Sequence, residues 1–292
     1  MTESTGQTVL LQDGRKLGYA EYGLSSGMPV FHFHGASSCR LERPLDEQVL
    51  PETGCRLIVP DRPGHGLSDP QPGRRLLDWP NDISQLADHL GIDTFHVMGY
   101  SAGGSYALVC AFKLPERVRA AAAVSSVAPM GRRGAFRGMP LPNQILNGSA
   151  RWVPWLTKLI RSTMSNMLMA DVGKAARRLM SSLPEADKAI LYAPEQLDAL
   201  SNNVREALRP GWRGAAQDDI IVFHDWGFDP AQIRVRVDIW HGTADVNVPC
   251  HAGQYLHDTI PDSRVTFLPD EGHFLLFERW GEILTALIGE GE

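Results

Sequence analysis

The sequence predicts an α/β fold, a mainly parallel sheet flanked by helices and interrupted once by a long helical insertion. Three observations carry this. Short apolar runs alternate with helix-period patterns through the first half and again near the end, the sequence form of stacked βαβ units. A glycine-rich stretch at 99–104 joins a strand pattern directly to a helix pattern. From residue 129 to about 225 strand signals become sparse and helical ones dominate.

The 292 residues, 43% hydrophobic and 21% charged, suit one large domain or two small ones and exclude collagenous, coiled-coil and disordered classes. A chain this long hides roughly three quarters of its unfolded surface, so folding requires neither disulfide nor metal. The net charge of −6 leaves no basic footprint for nucleic acid. Cys39, Cys55, Cys110 and Cys250 show no metal or redox spacing and read as packing residues. The N-terminal residues lack a basic then apolar leader pattern, and no run approaches 18 apolar residues, so no membrane span and a cytoplasmic setting are expected.

In order along the chain, 7–12 and 16–22 flank Asp13-Gly14, a hairpin signal, and should pair antiparallel. Residues 29–34 and 56–60 are the next strands, and 78–90 is a helix closed by Gly91. Residues 95–98 form a strand running into Gly99; 101–114 form a small-residue helix stopped by Pro115. Residues 118–127 make a buried Ala- and Val-rich strand. After the insertion come a strand at 235–240, a helix near 250–260, a strand at 264–268 and a helix at 274–288.

Within the insertion, Trp152, Trp155, Leu156, Leu159, Ile160, Thr163, Met164 and Met167 recur at three-and-four spacing, an amphipathic helix interrupted near its start by Pro154. Residues 129–225 hold 13 basic and 9 acidic residues, a net of +4, against −10 for the rest of the chain. The arginines at 132, 133, 137, 151, 177 and 178 read first as a solvated face, with an anionic substrate as the alternative.

Gly99-Tyr100-Ser101-Ala102-Gly103 is a G-x-S-x-G sequence at a strand-to-helix junction. A serine on so tight a turn needs small neighbours, and at a helix N-terminus the developing oxyanion meets unsatisfied N–H groups. Serine also needs a general base held by a carboxylate. Of ten histidines, His273 is best placed, just after the last strand and before the last helix. Asp245 closely follows another strand, with Gly242 allowing the chain to turn back.

The chain order Ser101, Asp245, His273 resembles that of the α/β-hydrolase superfamily. His34-Gly35-Ala36-Ser37 is similar to that family's His-Gly loop, and Asp61-Arg62-Pro63-Gly64-His65-Gly66-Leu67-Ser68 to its turn after the fourth strand. The likeness covers approximately 15–128 and 233–289. It implies an eight-stranded, mostly parallel sheet with helices on both faces, a core domain of 1–128 and 233–292, and a helical cap of 129–232. Ser125-Ser126-Val127-Ala128 offers no acid at the alternative position after strand six, which favours Asp245.

The resemblance further implies that Ser101 attacks a carbonyl, His273 shuttles the proton, Asp245 orients the ring, and the backbone N–H groups of Ala36 and Ala102 hold the oxyanion. His65 reads as turn packing. Gly35, Tyr100, Val246 and Phe274 are expected at the substrate pocket. Such chemistry uses no metal or organic cofactor, and its only implied partner is a small-molecule substrate; the sequence says nothing of oligomeric state.

Serine rather than aspartate at 101 disfavours haloalkane dehalogenase and epoxide hydrolase chemistry. Hydrolysis of a carboxylic ester with a small or medium, largely apolar acyl group is the first expectation. The insertion's Met130, Met139, Met164, Met167, Met169 and Met180, with its tryptophans, are candidates for an apolar acyl pocket or for the insertion's own core. A carbon–carbon hydrolase of β-diketone ring-fission products, a lactonase, an amidase, or a slow-turnover ligand receptor are the alternatives.

Overall fold

Eight strands form one sheet in the order β1-β2-β4-β3-β5-β6-β7-β8. The computed structural model describes residues 3–131, 134–171, 173–174 and 183–289. The strands are β1 (Ser4–Leu10), β2 (Lys16–Gly23), β3 (Met28–Phe33), β4 (Cys55–Pro60), β5 (Phe95–Tyr100), β6 (Val118–Val124), β7 (Arg236–Gly242) and β8 (Ser263–Leu268). The β1–β2 and β2–β4 pairs are antiparallel and the other five pairs parallel. The hairpin closes through Gly14, whose φ of +84° suits glycine. Expected strand 118–127 stops at Val124 because Ser125, at φ +45°, turns the chain out of the sheet.

The helices of the sheet domain are α1 (Val49–Glu52), α2 (Trp79–His89), α3 (Ala102–Lys113), α9 (His251–Thr259) and α10 (Leu276–Ile288). Strand β6 shows how one sheet serves two helical layers. Ala121 and Ala123 face the core shared with α2, α3 and α9, while Ala120, Ala122 and Val124 face the one closed by α10. Small side chains on both faces let α3 and α10 each contact β6.

Between β6 and β7 lie α4 (Leu141–Trp152), α5 (Pro154–Ala170), α6 (Glu185–Tyr192), α7 (Pro194–Ala207) and α8 (Arg213–Phe223). The one helix expected around Pro154 is two. Val153 leaves the helical region (φ −141°, ψ 66°), which the residue before a proline disfavours, and the axis breaks there.

The expected inward apolar stripe of α5 is overturned. Trp152 and Trp155 are 71% and 67% exposed and Leu159 and Met167 are also exposed, while Thr157, Arg161, Ser165 and Leu168 are buried. The inner face of α5 meets a buried carboxylate on α8, so an arginine and hydroxyls turn inward while Trp155, Leu159 and Met167 turn out. Trp226 and Phe228 belong to the core: Phe228 stacks on Phe112 at 4.8 Å and on Trp226 at 5.8 Å. No helix among the described residues is long and apolar enough to cross a membrane.

Candidate active site

Ser101 sits between β5 and α3 with φ +54° and ψ −118°, a backbone that strains any side-chain-bearing residue. The flanking glycines are required by close approach. A Cβ on Gly99 would strike the Gly103 carbonyl, one on Gly103 the Phe33 carbonyl, and one on Gly104 the Ser126 hydroxyl. The sheet thus pushes the serine side chain out at the carboxyl edge of β5, where parallel strands present their ligands.

Asp245 follows β7 and His273 follows β8. The two loops are tied by Ala244 N–H donating to Glu271 O at 2.9 Å and Asp270 N–H donating to Thr243 Oγ1 at 3.0 Å. Ser101 Oγ donates to His273 Nε2 at 3.0 Å, and His273 Nδ1 donates to Asp245 Oδ2 at 2.7 Å. This tautomer satisfies both contacts at once.

The other oxygen of Asp245 accepts the N–H groups of Asn247 and Val248, each at 2.8 Å, while His241 Nε2 stands 3.4 Å from Oδ2. Burial alone would raise the Asp245 pKa, but the His273 and His241 imidazoles, by charge and by hydrogen bonding, outweigh it and hold it at about 2. Burial likewise opposes charge on His273, yet Asp245 overcomes it and raises the imidazole pKa, with smaller contributions from Asp187 and Glu42. A base with that pKa is protonated as pH falls through a value above the ordinary ~6.5 for histidine. The acid limb of a kcat/KM profile is therefore expected above that value; a limb at or below it would contradict His273 as the base.

A cavity of ≈ 250 Å³ opens over Ser101. Gly35, Ala36, Tyr100, Ala102, His273 and Phe274 line it from the sheet domain; Asn143 and Leu146 of α4, Arg161 of α5, Leu200 and Asn203 of α7, and Asp219 and Phe223 of α8 line it from the insertion. Of the residues expected at a substrate pocket, Gly35, Tyr100 and Phe274 line this cavity. Val246 does not: the Asp245 carboxylate draws the N–H groups of Asn247 and Val248 around itself, and that turn presents Asn247 and Val248 to the cavity instead.

None of the described methionines named above lines the cavity. Met130 and Met139 are buried in the main core, Met167 and Met169 are exposed, and Met180 lies outside the described residues. Of the basic face, Arg137 is exposed and Arg151 lies over the Trp152 ring at 4.8 Å, and neither lines the cavity; 132, 133, 177 and 178 are outside the described residues. Among the described residues, the arginine that lines the cavity is Arg161.

Ala102 opens α3, so its N–H has no intrahelical acceptor, and Ala36 lines the same cavity. The 34–37 loop is gripped from two sides. Arg62 donates to the carbonyls of His34 and, at 2.9 Å, Gly35, and it is itself held by Asp218 Oδ2 at 2.6 Å. Arg161 donates to Ser37 Oγ at 2.9 Å and pairs bidentately with Asp219. Glu42 accepts the Gly35 N–H at 3.0 Å and the Ser38 hydroxyl at 2.7 Å.

His65 is fully buried beside the His34 ring, outside the cavity, and burial pushes its pKa down to about 4. Sequence reasoning missed Glu42, Arg161, Asp187, Asp218 and Asp219. The one available signal was Asp218-Asp219 inside the otherwise apolar helix pattern AAQDDIIVF, because adjacent carboxylates on a buried helix need cations.

The profile of the α/β-hydrolase fold matches residues 29–279, and the chain belongs to that family. It is a hydrolase. An uncharacterized hydrolase of Bacillus subtilis is 25% identical over 254 residues, covering 85% of this chain and 86% of that protein. A pimeloyl-[acyl-carrier protein] methyl ester esterase of Aromatoleum aromaticum is 28% identical over 223 residues, 75% of this chain and 81% of the relative. Among solved structures, a hydrolase from Pseudomonas aeruginosa superposes with a TM-score of 0.73 at 18% identity, covering 98% of this chain and 99% of its own, a likeness of fold.

Proposed function

We propose that the protein hydrolyses a carboxylic ester of a small or medium acyl group through an acyl-enzyme on Ser101. The observation that carries this is the hydrogen-bonded series Ser101 Oγ, His273, Asp245 at 3.0 and 2.7 Å, with the serine on a strained turn at the floor of the cavity. Ser101 Oγ attacks the ester carbonyl while His273 Nε2 takes its proton. Asp245, ionised at all ordinary pH, stabilises the imidazolium. The Ala36 and Ala102 N–H groups receive the oxyanion, His273 returns the proton to the leaving alkoxide, and water repeats the sequence on the acyl-enzyme.

In this reading residues 129–232 are a cap over a core of 1–128 and 233–292. Helices α4, α5, α7 and α8 supply one wall of the cavity and the sheet domain the other. Leu146, Leu200, Phe223 and Phe274 suit an apolar acyl chain, and the esterase relative is consistent with ester chemistry.

The test is hydrolysis of p-nitrophenyl esters from acetate to decanoate, alongside labelling by a serine-directed phosphonate located by peptide mass. Multiple turnovers with an optimum at short or medium chains are expected, with the label on Ser101. Labelling without ester turnover would overturn the ester assignment, and label elsewhere would overturn the nucleophile.

A further inference from the structure

Asp187 is a buried carboxylate that the acyl-transfer scheme leaves unused. It belongs to α6, in the cap, and its residue is fully buried. Its Oδ2 accepts the backbone N–H of His273 at 3.1 Å and its Oδ1 the backbone N–H of Phe274 at 2.9 Å. A Cβ on Gly272 would fall on the same carboxylate, so the loop before His273 is shaped to receive it. Burying a carboxylate is costly unless its lone pairs are met, and here both oxygens are met by the loop that carries the imidazole.

We propose that Asp187 is a positioning residue for His273, through which the seating of the cap sets the placement of the general base. This rests on the Ser101–His273–Asp245 reading above. Two consequences follow from the geometry. Restraining the N–H groups of residues 273 and 274 limits how far the imidazole drifts from Ser101, and it fixes Phe274 as a cavity wall. The carboxylate also adds negative charge near the imidazolium that forms during attack, alongside Asp245 and Glu42, and so raises the imidazole pKa. His241 faces Asp245 from β7, and Tyr100 packs on the His273 ring at 5.3 Å. Charge at Asp187 itself is disfavoured by burial and favoured by the two N–H groups, with His273 and Asp245 as its charged neighbours.

Asp187→Asn keeps the size and one acceptor but turns an N–H₂ toward an N–H donor. Asp187→Ala removes both acceptors. Each is compared with wild type and Ser101→Ala for kcat, KM and the pH profile of kcat/KM on the best p-nitrophenyl ester, with thermal melts to confirm folding.

For folded Asp187→Asn the expected result is kcat lowered about 10-fold or more, KM within about twofold, and the acid limb moved to lower pH. Should Asp187→Ala not fold, Asp187→Asn alone decides. Wild-type kcat and an unmoved limb, with Ser101→Ala inactive, would overturn this proposal and leave the triad standing. A parallel loss in kcat and KM with an unmoved limb would mark a loosened cap and also overturn it. Retained activity in Ser101→Ala would remove the triad, and this proposal with it.

Discussion

On the proposed mechanism, Ser101→Ala is expected to lower kcat by about 10⁵- to 10⁶-fold, because a triad acts as a unit and its nucleophile has no substitute. At 1.36 kcal/mol per decade that is about 7–8 kcal/mol of lost transition-state stabilisation. The fold should survive, since only one hydroxyl and its 3.0 Å hydrogen bond to His273 disappear.

Ser101→Gly separates chemistry from strain. At φ +54° a serine carries backbone strain of about 1–3 kcal/mol, which glycine relieves. That variant should be as inactive as the alanine one yet melt higher. Thermal melts and single-turnover assays on both check this; retention of most of the activity in either would refute Ser101 as the nucleophile.

Asp218→Ala is expected to cost roughly 3–5 kcal/mol of stability, the range for removing one partner of a buried ion pair. Asp218 is 2% exposed and accepts from Arg62 at 2.6 Å, from Arg74 and from the Tyr106 hydroxyl at 2.9 Å. The two guanidinium groups hold its pKa far below the usual carboxylate range against the opposing effect of burial. Without it two buried guanidinium groups lose the carboxylate that lies between them.

Arg62 also supports the His34 and Gly35 carbonyls, so activity should fall with stability even where the variant is folded. Urea denaturation measures the first effect and kcat at a temperature well below the melt the second. A change under about 1 kcal/mol would show that the network is not cooperative.

All eight strands and the order Ser101, Asp245, His273 were legible because they rest on local signals. Short apolar runs, glycines at forced close approaches and acidic or basic residues at strand ends are written in consecutive residues. Val246 was misplaced because the sequence shows that Asp245 can turn back, and not which neighbours its carboxylate gathers. The insertion misled further. Helical spacing identified the helix of Trp155 and Leu159 correctly but oriented it backwards, because three-and-four periodicity marks a stripe without saying what faces it.

The sequence by itself determined the family, the sheet and which three side chains stand at the strand ends, since each depends on backbone geometry that neighbouring residues impose. Only the tertiary structure decided what surrounds them. Asp187, Asp218 and Asp219 act on loops 86 to 184 positions away in the chain: Asp187 on the His273 loop, and the other two through Arg62 and Arg161 on the 34–37 loop. Asp187 carries no local mark of its role, and the Asp218-Asp219 pair marks a need for cations without saying which ones. Their positions are set by burial, where a charge is tolerated only against the cation or N–H group that the fold brings to it.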